Sequence, residues 1–336
     1  MREIGEFGLI SALADALPAG VTAGPGLELG IGDDCAVWRP AAGERIVVTT
    51  DSLVQGIHFR LDWTDWEQLG HKTLAVNLSD LASMGAVPRF AVVTLALRGD
   101  ERVEDLRALY RGLGALAERT GTLVAGGDIV RSPEALAFHV TAVGETRGAR
   151  VIPRSGARPG DVIGVSGTIG ASAAGLALLL DPGSPAAGAA TADLLREAHL
   201  RPEPRIALGG ILLEQGASAG MDLSDGLFGD LPKILAASRV SARVDAARLP
   251  VAAAVRALFP DRWLGMATRG GEDYELLFTA PPDRWGAVSM AADKAGVPGT
   301  ASGEIVEARN GRPDLLMVRE DGTEERVAAG AFDHFR

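Results

Sequence analysis

Segments with helical spacing of apolar residues alternate with short apolar runs through both halves of this 336-residue chain. Residues 45–51 and 90–97 predict buried strands, and residues 66–84 and 103–119 predict helices, the second of which would end at Gly121. Helices and strands that alternate bury their apolar surfaces by packing in layers, so we expect an α/β or α+β fold. Further strands are predicted at residues 122–125, 137–145, 161–166 and 274–279, and further helices at residues 7–17 and 171–180.

A basic segment with several Gly and Pro residues, 147–159, separates two parts of similar size. Gly and Pro interrupt helices and strands, and such segments commonly join domains. The chain is also long enough for two domains of ordinary size. We therefore expect an N-terminal domain at residues 1–147 and a C-terminal domain at residues 148–336.

Charge and cysteine content exclude several classes of protein. Lys and Arg number 33 and Asp and Glu number 44, which gives a formal net charge of −11. Because such a surface repels a phosphate backbone, no nucleic-acid partner is expected. Cys35 is the one cysteine, which excludes an intramolecular disulfide and a cysteine-based zinc site. No apolar run approaches the roughly 20 residues of a membrane span, and the N-terminus lacks a secretory signal pattern, so we expect a cytoplasmic protein without a membrane partner.

Five segments place Asp beside Gly, Ser or Thr, mostly at the ends of apolar runs. Each alone is more simply a turn or a helix cap, as Asp222 or Asp225 could be for the helix pattern that follows them. Together, however, their carboxylates would repel one another without a cation, and oxygen ligands without His or Cys favour Mg²⁺ or Mn²⁺. Because Mg²⁺ commonly joins carboxylates to nucleotide phosphates, the set indicates phosphoryl transfer. The segments are GIGDDCA at 30–36, TTDS at 49–52, NLSD at 77–80, GGD at 126–128 and DLSDG at 222–226.

Common nucleotide-binding signatures are absent, both the GxxxxGK[ST] loop and the protein-kinase motifs. A nucleotide would instead need the close backbone approach that Gly126 and Gly127 allow, the helix start near Ser224, and a cation such as Arg154. GVSGTIG at residues 164–170 is more simply a tight turn between a strand and a helix.

Three features leave two interpretations open. GGEDYELL at residues 270–277 is either a strand entry with solvated carboxylates or a site in which Glu272 faces a positively charged substrate. The aromatic residues of FDHF at 332–335 either dock on the core or stack on a flat ligand. His58 is either a packed turn residue or a partner for a substrate phosphate.

These segments, in order and over nearly the whole chain, resemble the thiamine-monophosphate kinase family. GGEDYEL and GIGDDCA are specific to this kinase within a wider superfamily that also contains aminoimidazole ribonucleotide synthetase and selenophosphate synthetase. The other matching segments are GEFGLI (5–10), TTDSLVQGIHF (49–59), KTLAVNLSDLASMGAVP (72–88), GGDIVRSP (126–133), RSGARPGD (154–161), HLRPEPR (199–205), DLSDGL (222–227) and FDHF (332–335).

The resemblance implies a fold and a reaction. The fold would be a two-domain α/β (α+β) fold like that of aminoimidazole ribonucleotide synthetase, with an N-terminal metal- and ATP-binding domain that pairs as a dimeric β-barrel and a C-terminal α/β domain. The homodimer would use ATP as co-substrate and several Mg²⁺ ions to phosphorylate thiamine monophosphate to thiamine diphosphate by direct in-line transfer. The attacking phosphate oxygen is already anionic near neutral pH, so no general base is required.

The resemblance also implies roles for individual residues. Asp51, Asp80 and Asp222 would be the catalytic residues. The implied metal ligands are Asp34, Thr49, Thr50, Asp51, Asp80, Asp128, Asp222 and Asp225. The implied ATP contacts are Gly127, Asp128, Arg154, Ser224 and Tyr110, and the implied thiamine monophosphate contacts are His58, Glu272 and Phe332.

Two rival functions remain. The same scaffold could use ATP to activate a carbonyl or amide oxygen, as a related synthetase does, although GGEDYEL and the terminal aromatic residue suit an anionic ribonucleotide poorly. The chain could also be a non-catalytic sensor of nucleotide and metal, although every carboxylate that the kinase resemblance requires is present.

Overall fold

The computed structural model describes residues 12–18, 20–29, 37–181 and 188–327. No helix among these residues is long and apolar enough to cross a membrane. The chain divides into two compact units, which we call unit 1 (Met1–Leu81 and Ala86–Arg150) and unit 2 (Ala82–Gly85 and Val151–Arg336).

Unit 1 contains a four-stranded mixed sheet, two long helices and a short two-stranded ribbon. Its elements are β1 (Leu27–Leu29), β2 (Val37–Trp38), β3 (Ile46–Val54), α1 (Trp66–Ser83), β4 (Val87–Leu97), α2 (Val103–Thr120), β5 (Leu123–Arg131) and β6 (Ala137–Glu145). The strand order of the sheet is β3-β6-β4-β5. β6 is antiparallel to both of its neighbours, whereas β4 and β5 run parallel.

One face of this sheet is buried with the two helices. Leu95 of β4, Phe138 of β6 and Leu113 of α2 have no exposed surface. The two helices approach so closely that a Cβ on Gly70 would lie 1.8 Å from the carbonyl oxygen of Leu109. A larger residue than Gly at this crossing would force the helices apart and open the core. This packing holds α1 and α2 in close contact.

Unit 2 is built around a seven-stranded mixed sheet. Its elements are β7 (Val162–Ser166), α3 (Ala171–Leu180), α4 (Ala189–Leu200), α5 (Ile206–Gln215), β8 (Ala219–Asp222), α6 (Leu227–Ser238), β9 (Ser241–Asp245), α7 (Ala253–Leu258), α8 (Trp263–Arg269), β10 (Leu276–Ala280), α9 (Pro282–Lys294), β11 (Gly299–Val306), β12 (Leu315–Val318) and β13 (Glu324–Arg326). The strand order is β13-β12-β9-β11-β7-β10-β8. β10 therefore lies between β7 and β8, and its first residue pairs with Asp222.

The predicted elements are present where the structure describes them, most with shifted bounds. The prediction of a buried strand at 45–51 is wrong in its burial, because β3 is an edge strand and most of its residues are exposed or half-buried. The helix predicted at 103–119 ends at Thr120, and Gly121 caps it in the left-handed conformation with φ 68°. The strand predicted at 122–125 continues to Arg131, so GGD lies within β5 and not after it. Of the helix predicted at 7–17, residues 12–14 are helical, and residues 7–11 lie outside the described residues.

Candidate active site

Four polar side chains of unit 1 meet where β3 runs beside α1. Thr49 and Asp51 are two residues apart in a strand and share a face, and Asn77 and Asp80 are three residues apart in a helix and share a side. The Thr49 hydroxyl donates a hydrogen bond to Asp80. The backbone N–H of Asp51 donates to Oδ1 of Asn77 at 3.0 Å. The sequence assignment missed Asn77, although its position in NLSD already placed it on the side of the helix that carries Asp80.

The two carboxylates of this group disturb each other. Desolvation by the surrounding protein and, second, the charge of Asp80 raise the pKa of Asp51 to about 6. Asp51 nevertheless remains accessible to solvent, so a cation can reach the pair. A bound divalent cation would favour the ionised form of Asp51 and remove the repulsion.

Thr50 and Asp128 point to the other face of the same sheet. Side chains alternate along a strand, so Thr50 faces away from its neighbour Asp51. The Thr141 hydroxyl donates to that of Thr50 at 3.2 Å, across the pair that β3 and β6 form. Asp128 pairs with Thr94 on this second face. Within unit 1, these two predicted ligands are therefore not brought together with Asp80.

Gly127 and Tyr110, two predicted ATP contacts, line one small cavity beside β5. Tyr110 is buried, and this burial raises the pKa of its phenol, which stays protonated. A Cβ on Gly127 would lie 1.9 Å from the carbonyl oxygen of Val93. The glycine is thus required for the approach of two strands, a structural reason that is independent of any nucleotide.

His58 lies in the turn that follows β3. The backbone N–H of Val54 donates to Nδ1 of His58 at 3.0 Å. Nδ1 is therefore an acceptor, and the neutral ring carries its proton on Nε2. The interpretation of His58 as a packed turn residue agrees with this contact.

In unit 2, the DLSDG segment connects β8 to α6. Asp222 is the buried last residue of β8, and Lys233 donates to Asp225 at 2.7 Å. The predicted helix cap is wrong, because the N-cap of α6 is Gly226 and no side chain caps it. Instead, the buried Asp230 of the first turn accepts from the backbone N–H of Asp225 at 2.9 Å. Lys233 and Asp230, which the sequence assignment missed, thus fix the position of Asp225.

The acidic GGEDYEL turn packs against DLSDG through backbone hydrogen bonds. The N–H of Glu272 donates to the carbonyl of Ser224 at 2.8 Å, and that of Tyr274 donates to the carbonyl of Leu223 at 2.9 Å. A Cβ on Gly271 would lie 2.4 Å from the carbonyl oxygen of Ser224, which explains the glycine. The structure therefore brings the backbones of Ser224 and Glu272 together, and their roles as ATP and substrate contacts stay predictions.

Two carboxylates of this turn serve the fold. Asp273 accepts from the backbone N–H groups of Gly170 at 2.7 Å and Ser172 at 3.0 Å, at the start of α3. Burial raises the pKa of Asp273 to about 7. The two backbone donors favour the ionised carboxylate and so act in the opposite direction. Glu275 binds Arg205 through two hydrogen bonds of 2.9 and 2.6 Å. The interpretation as a strand entry with solvated carboxylates is therefore wrong for these two residues.

The remaining assigned residues are Arg154, Asp34 and Phe332. Arg154 is exposed, and its guanidinium makes no ion pair with the described part of the chain, so it is available to a phosphate. Asp34 and Phe332 lie outside the described residues.

The donor set of unit 1 suits Mg²⁺ because it consists of two carboxylates and a hydroxyl. Among the residues that the structure describes, no three His, Cys, Asp or Glu side chains are grouped closely enough to hold a metal ion. Mg²⁺, however, commonly takes one or two protein carboxylates and completes its shell with water and phosphate oxygens. Asp51 and Asp80 thus fit a metal that arrives with a nucleotide better than a closed, permanent metal site.

The chain matches family models and relatives along nearly its whole length. Residues 32–146 match the AIR synthase related protein N-terminal domain, and residues 158–315 match the C-terminal domain of the same proteins. The thiamine-monophosphate kinase of Escherichia coli (strain K12) is 41% identical over 332 residues, 98% of either chain.

Two solved structures agree with this assignment. Thiamine-monophosphate kinase from Stenotrophomonas maltophilia K279a has a TM-score of 0.82 and 39% identity, covering 93% of this chain and 96% of its own. AaThiL complexed with AMPPCP and TMP has a TM-score of 0.77 and 32% identity, covering 100% of this chain and 98% of its own. Because both units are covered, the chain belongs to the thiamine-monophosphate kinase family, within the AIR synthase related proteins.

Proposed function

We propose that this chain transfers the γ-phosphoryl group of ATP directly to thiamine monophosphate and so forms thiamine diphosphate. The observation that carries the proposal is the full-length similarity to AaThiL complexed with AMPPCP and TMP. The paired Asp51 and Asp80 and the packed loops around Ser224 and Glu272 supply groups that such a reaction uses.

The main difficulty of this reaction is the repulsion between two polyanions. The acceptor phosphate is already ionised, so positioning and charge neutralisation provide most of the catalysis. Mg²⁺ would neutralise and align the phosphates when bound. Thr49, Asp51 and Asp80 would hold it in unit 1 and Asp222 and Asp225 in unit 2. Asp34 completes the proposed ligand set, whereas Thr50 and Asp128 face the other side of the sheet in unit 1 and are not proposed as ligands of the ion that Asp51 and Asp80 would hold.

The proposed substrate contacts follow the charge of each substrate. Arg154 is an exposed cation suited to ATP phosphates, and Gly127, Asp128, Ser224 and Tyr110 complete the proposed ATP contacts. Thiamine monophosphate has a cationic thiazolium ring and an anionic phosphate. Glu272 would face the ring, Phe332 would stack on it, and His58 would contact the phosphate.

The direct test is an assay with ATP, Mg²⁺ and thiamine monophosphate as the only acceptor. We expect phosphorus NMR to show thiamine diphosphate and ADP in equal amounts. Release of ADP with inorganic phosphate and without thiamine diphosphate would favour the synthetase function. ATP binding without any ADP release would favour the sensor.

The proposal includes a homodimer through the sheet face of unit 1 that carries Thr50. Apolar side chains on this face are exposed in the single chain, namely Val48 at 59%, Ile46 at 45% and Val130 at 42%. Large apolar residues grouped on one sheet face usually mark an interface. Two such faces packed together would form the shared barrel that the family resemblance implies.

We predict that Val48→Asp converts the dimer to a monomer, because a carboxylate would be buried without a partner. Light scattering after size exclusion measures the mass directly. Leu194→Asp, which alters a comparably exposed apolar residue on α4, should leave the dimer intact. A wild-type chain that is monomeric at micromolar concentration would contradict the dimer without affecting the proposed reaction.

A further inference from the structure

The turn at residues 270–275 has an unusual backbone. Glu272 and Tyr274 have φ values of 67° and 50°, in a left-handed region that side chains other than Gly rarely adopt. Such conformations persist where the surroundings enforce them, and they are concentrated at functional sites. Here the hydrogen bonds of Asp273 with Gly170 and of Glu275 with Arg205 hold the turn in this conformation, because they connect it to other parts of unit 2. The turn is a rigid support for the side chain of Glu272.

A buried histidine faces that side chain. His199 of α4 is 3% exposed, whereas Glu272 is 23% exposed. Nδ1 of His199 lies 3.4 Å from Oε2 of Glu272 and 3.0 Å from the hydroxyl of Ser172. In the tautomer that carries its proton on Nδ1, His199 can donate to either of these oxygen atoms. His199 thus offers a donor from the protein interior to a carboxylate that is still open to solvent.

We propose that His199 is a positioning residue that holds the Glu272 carboxylate towards the cationic ring of the substrate. This inference rests on the proposed function, because it takes Glu272 as the contact for the thiazolium ring. A Glu side chain has three rotatable bonds, and substrate binding must otherwise restrict them. The donor on Nδ1 fixes the carboxylate before the substrate arrives, while the rigid turn fixes its backbone. His199 acts through Glu272 and touches no reacting atom.

The test compares His199→Gln with His199→Asn, two polar replacements of a buried residue. The amide nitrogen of Asn reaches the place of Nδ1, whereas that of Gln reaches the place of Nε2. We expect His199→Gln to raise the KM for thiamine monophosphate about 10-fold, as loss of a hydrogen bond to a charged group does. The KM for ATP and kcat should change less than about 2-fold, and His199→Asn should restore most of the affinity for thiamine monophosphate.

A double-mutant cycle separates positioning from a general structural role. If His199 acts through Glu272, His199→Gln should add nothing to the loss caused by Glu272→Gln. Calorimetric titration with thiamine monophosphate alone provides a readout that is independent of turnover. A neutral thiazole phosphate, which lacks the cationic ring, should bind equally to the wild type and to His199→Gln.

Three results would overturn the inference while the proposed function stands. The first is an equal KM for thiamine monophosphate in His199→Gln and His199→Asn. The second is an increase of the KM for ATP in parallel with that for thiamine monophosphate. The third is that the losses caused by His199→Gln and Glu272→Gln add in the double-mutant cycle. If the wild type forms no thiamine diphosphate, the proposed function fails instead. The calorimetric comparison of cationic and neutral ligands still decides whether His199 supports recognition of the ring by Glu272.

Discussion

Asp51→Asn is expected to lower kcat/KM by about 10²–10³-fold, which corresponds to about 3–4 kcal/mol of transition-state stabilisation. The replacement keeps the shape of the side chain and removes the charge that, with Asp80, would hold Mg²⁺. The fold should be retained because Asp51 is accessible to solvent at the edge strand. The measurement is thiamine diphosphate formation at saturating Mg²⁺, together with circular dichroism of the variant.

Asp100→Asn is the matched control, because Asp100 is an exposed carboxylate of unit 1 that pairs only with Arg98 among the described residues. It should retain wild-type activity. Asp222→Asn should reproduce the loss seen with Asp51→Asn, although the two residues belong to different units. Near-normal turnover of both the Asp51 and Asp222 variants would refute the metal assignment.

The same variant should reveal the effect of desolvation on Asp51 and, second, its repulsion by Asp80 when no metal is present. The pKa of Asp51 is about 6 in the folded chain, above the value near 4 that is usual for Asp in an unfolded chain. The folded state therefore holds the proton more tightly, and this contribution to stability is complete below pH 4 and is lost as the pH rises through 6. In EDTA, the free energy of unfolding of the wild type should fall across this window by more than that of Asp51→Asn. Urea titrations at pH 4 and pH 7.5 measure the difference, and equal falls would contradict it.

The apolar patterns of single segments predicted most of the helices and strands, and they predicted part of the candidate site in unit 1. The strand at residues 137–145 and the helix at residues 171–180 have the predicted bounds, because the apolar pattern of each is set by its own residues. Thr49 and Asp51 share a strand face for the same reason. Alternation along β3 already places Thr50 on the face opposite Asp51, but the sequence could not show on which face Asp128 lies, because that depends on which strands pair.

The acidic turn shows where local reasoning ends. Three carboxylates within four residues, Glu272, Asp273 and Glu275, looked alike in the sequence but have three different partners. Arg205 is 70 positions from Glu275, and Gly170 is 103 positions from Asp273. These contacts exist because β10 lies between β7 and β8, an order that no local pattern specifies. The structural contacts of Asp273 and Glu275 therefore emerge only from the topology.

The strongest effect on stability is expected for Glu275→Gln, which should lower the free energy of unfolding by about 3 kcal/mol. Glu275 is buried and binds Arg205 through both of its carboxylate oxygens. The hydroxyl of Ser166 also donates to it, at 2.5 Å, and accepts from the backbone N–H of Leu276 at 2.8 Å. The amide of Gln would keep the volume but leave the guanidinium charge of Arg205 largely buried without its counter-charge.

Urea unfolding of Glu275→Gln measures this loss, and Glu325→Gln provides the control. Glu325 also pairs with an arginine, Arg319, but this pair lies at the surface, where water screens it, so its loss should cost less than about 1 kcal/mol. A second variant separates charge from packing. Glu275→Leu combined with Arg205→Met removes both charges, and should recover part of the stability because no buried ion is then left unpaired. If Glu275→Gln costs no more than Glu325→Gln, the ion pair does not hold the turn, and the rigidity that presents Glu272 must come from Asp273 and the backbone hydrogen bonds to DLSDG.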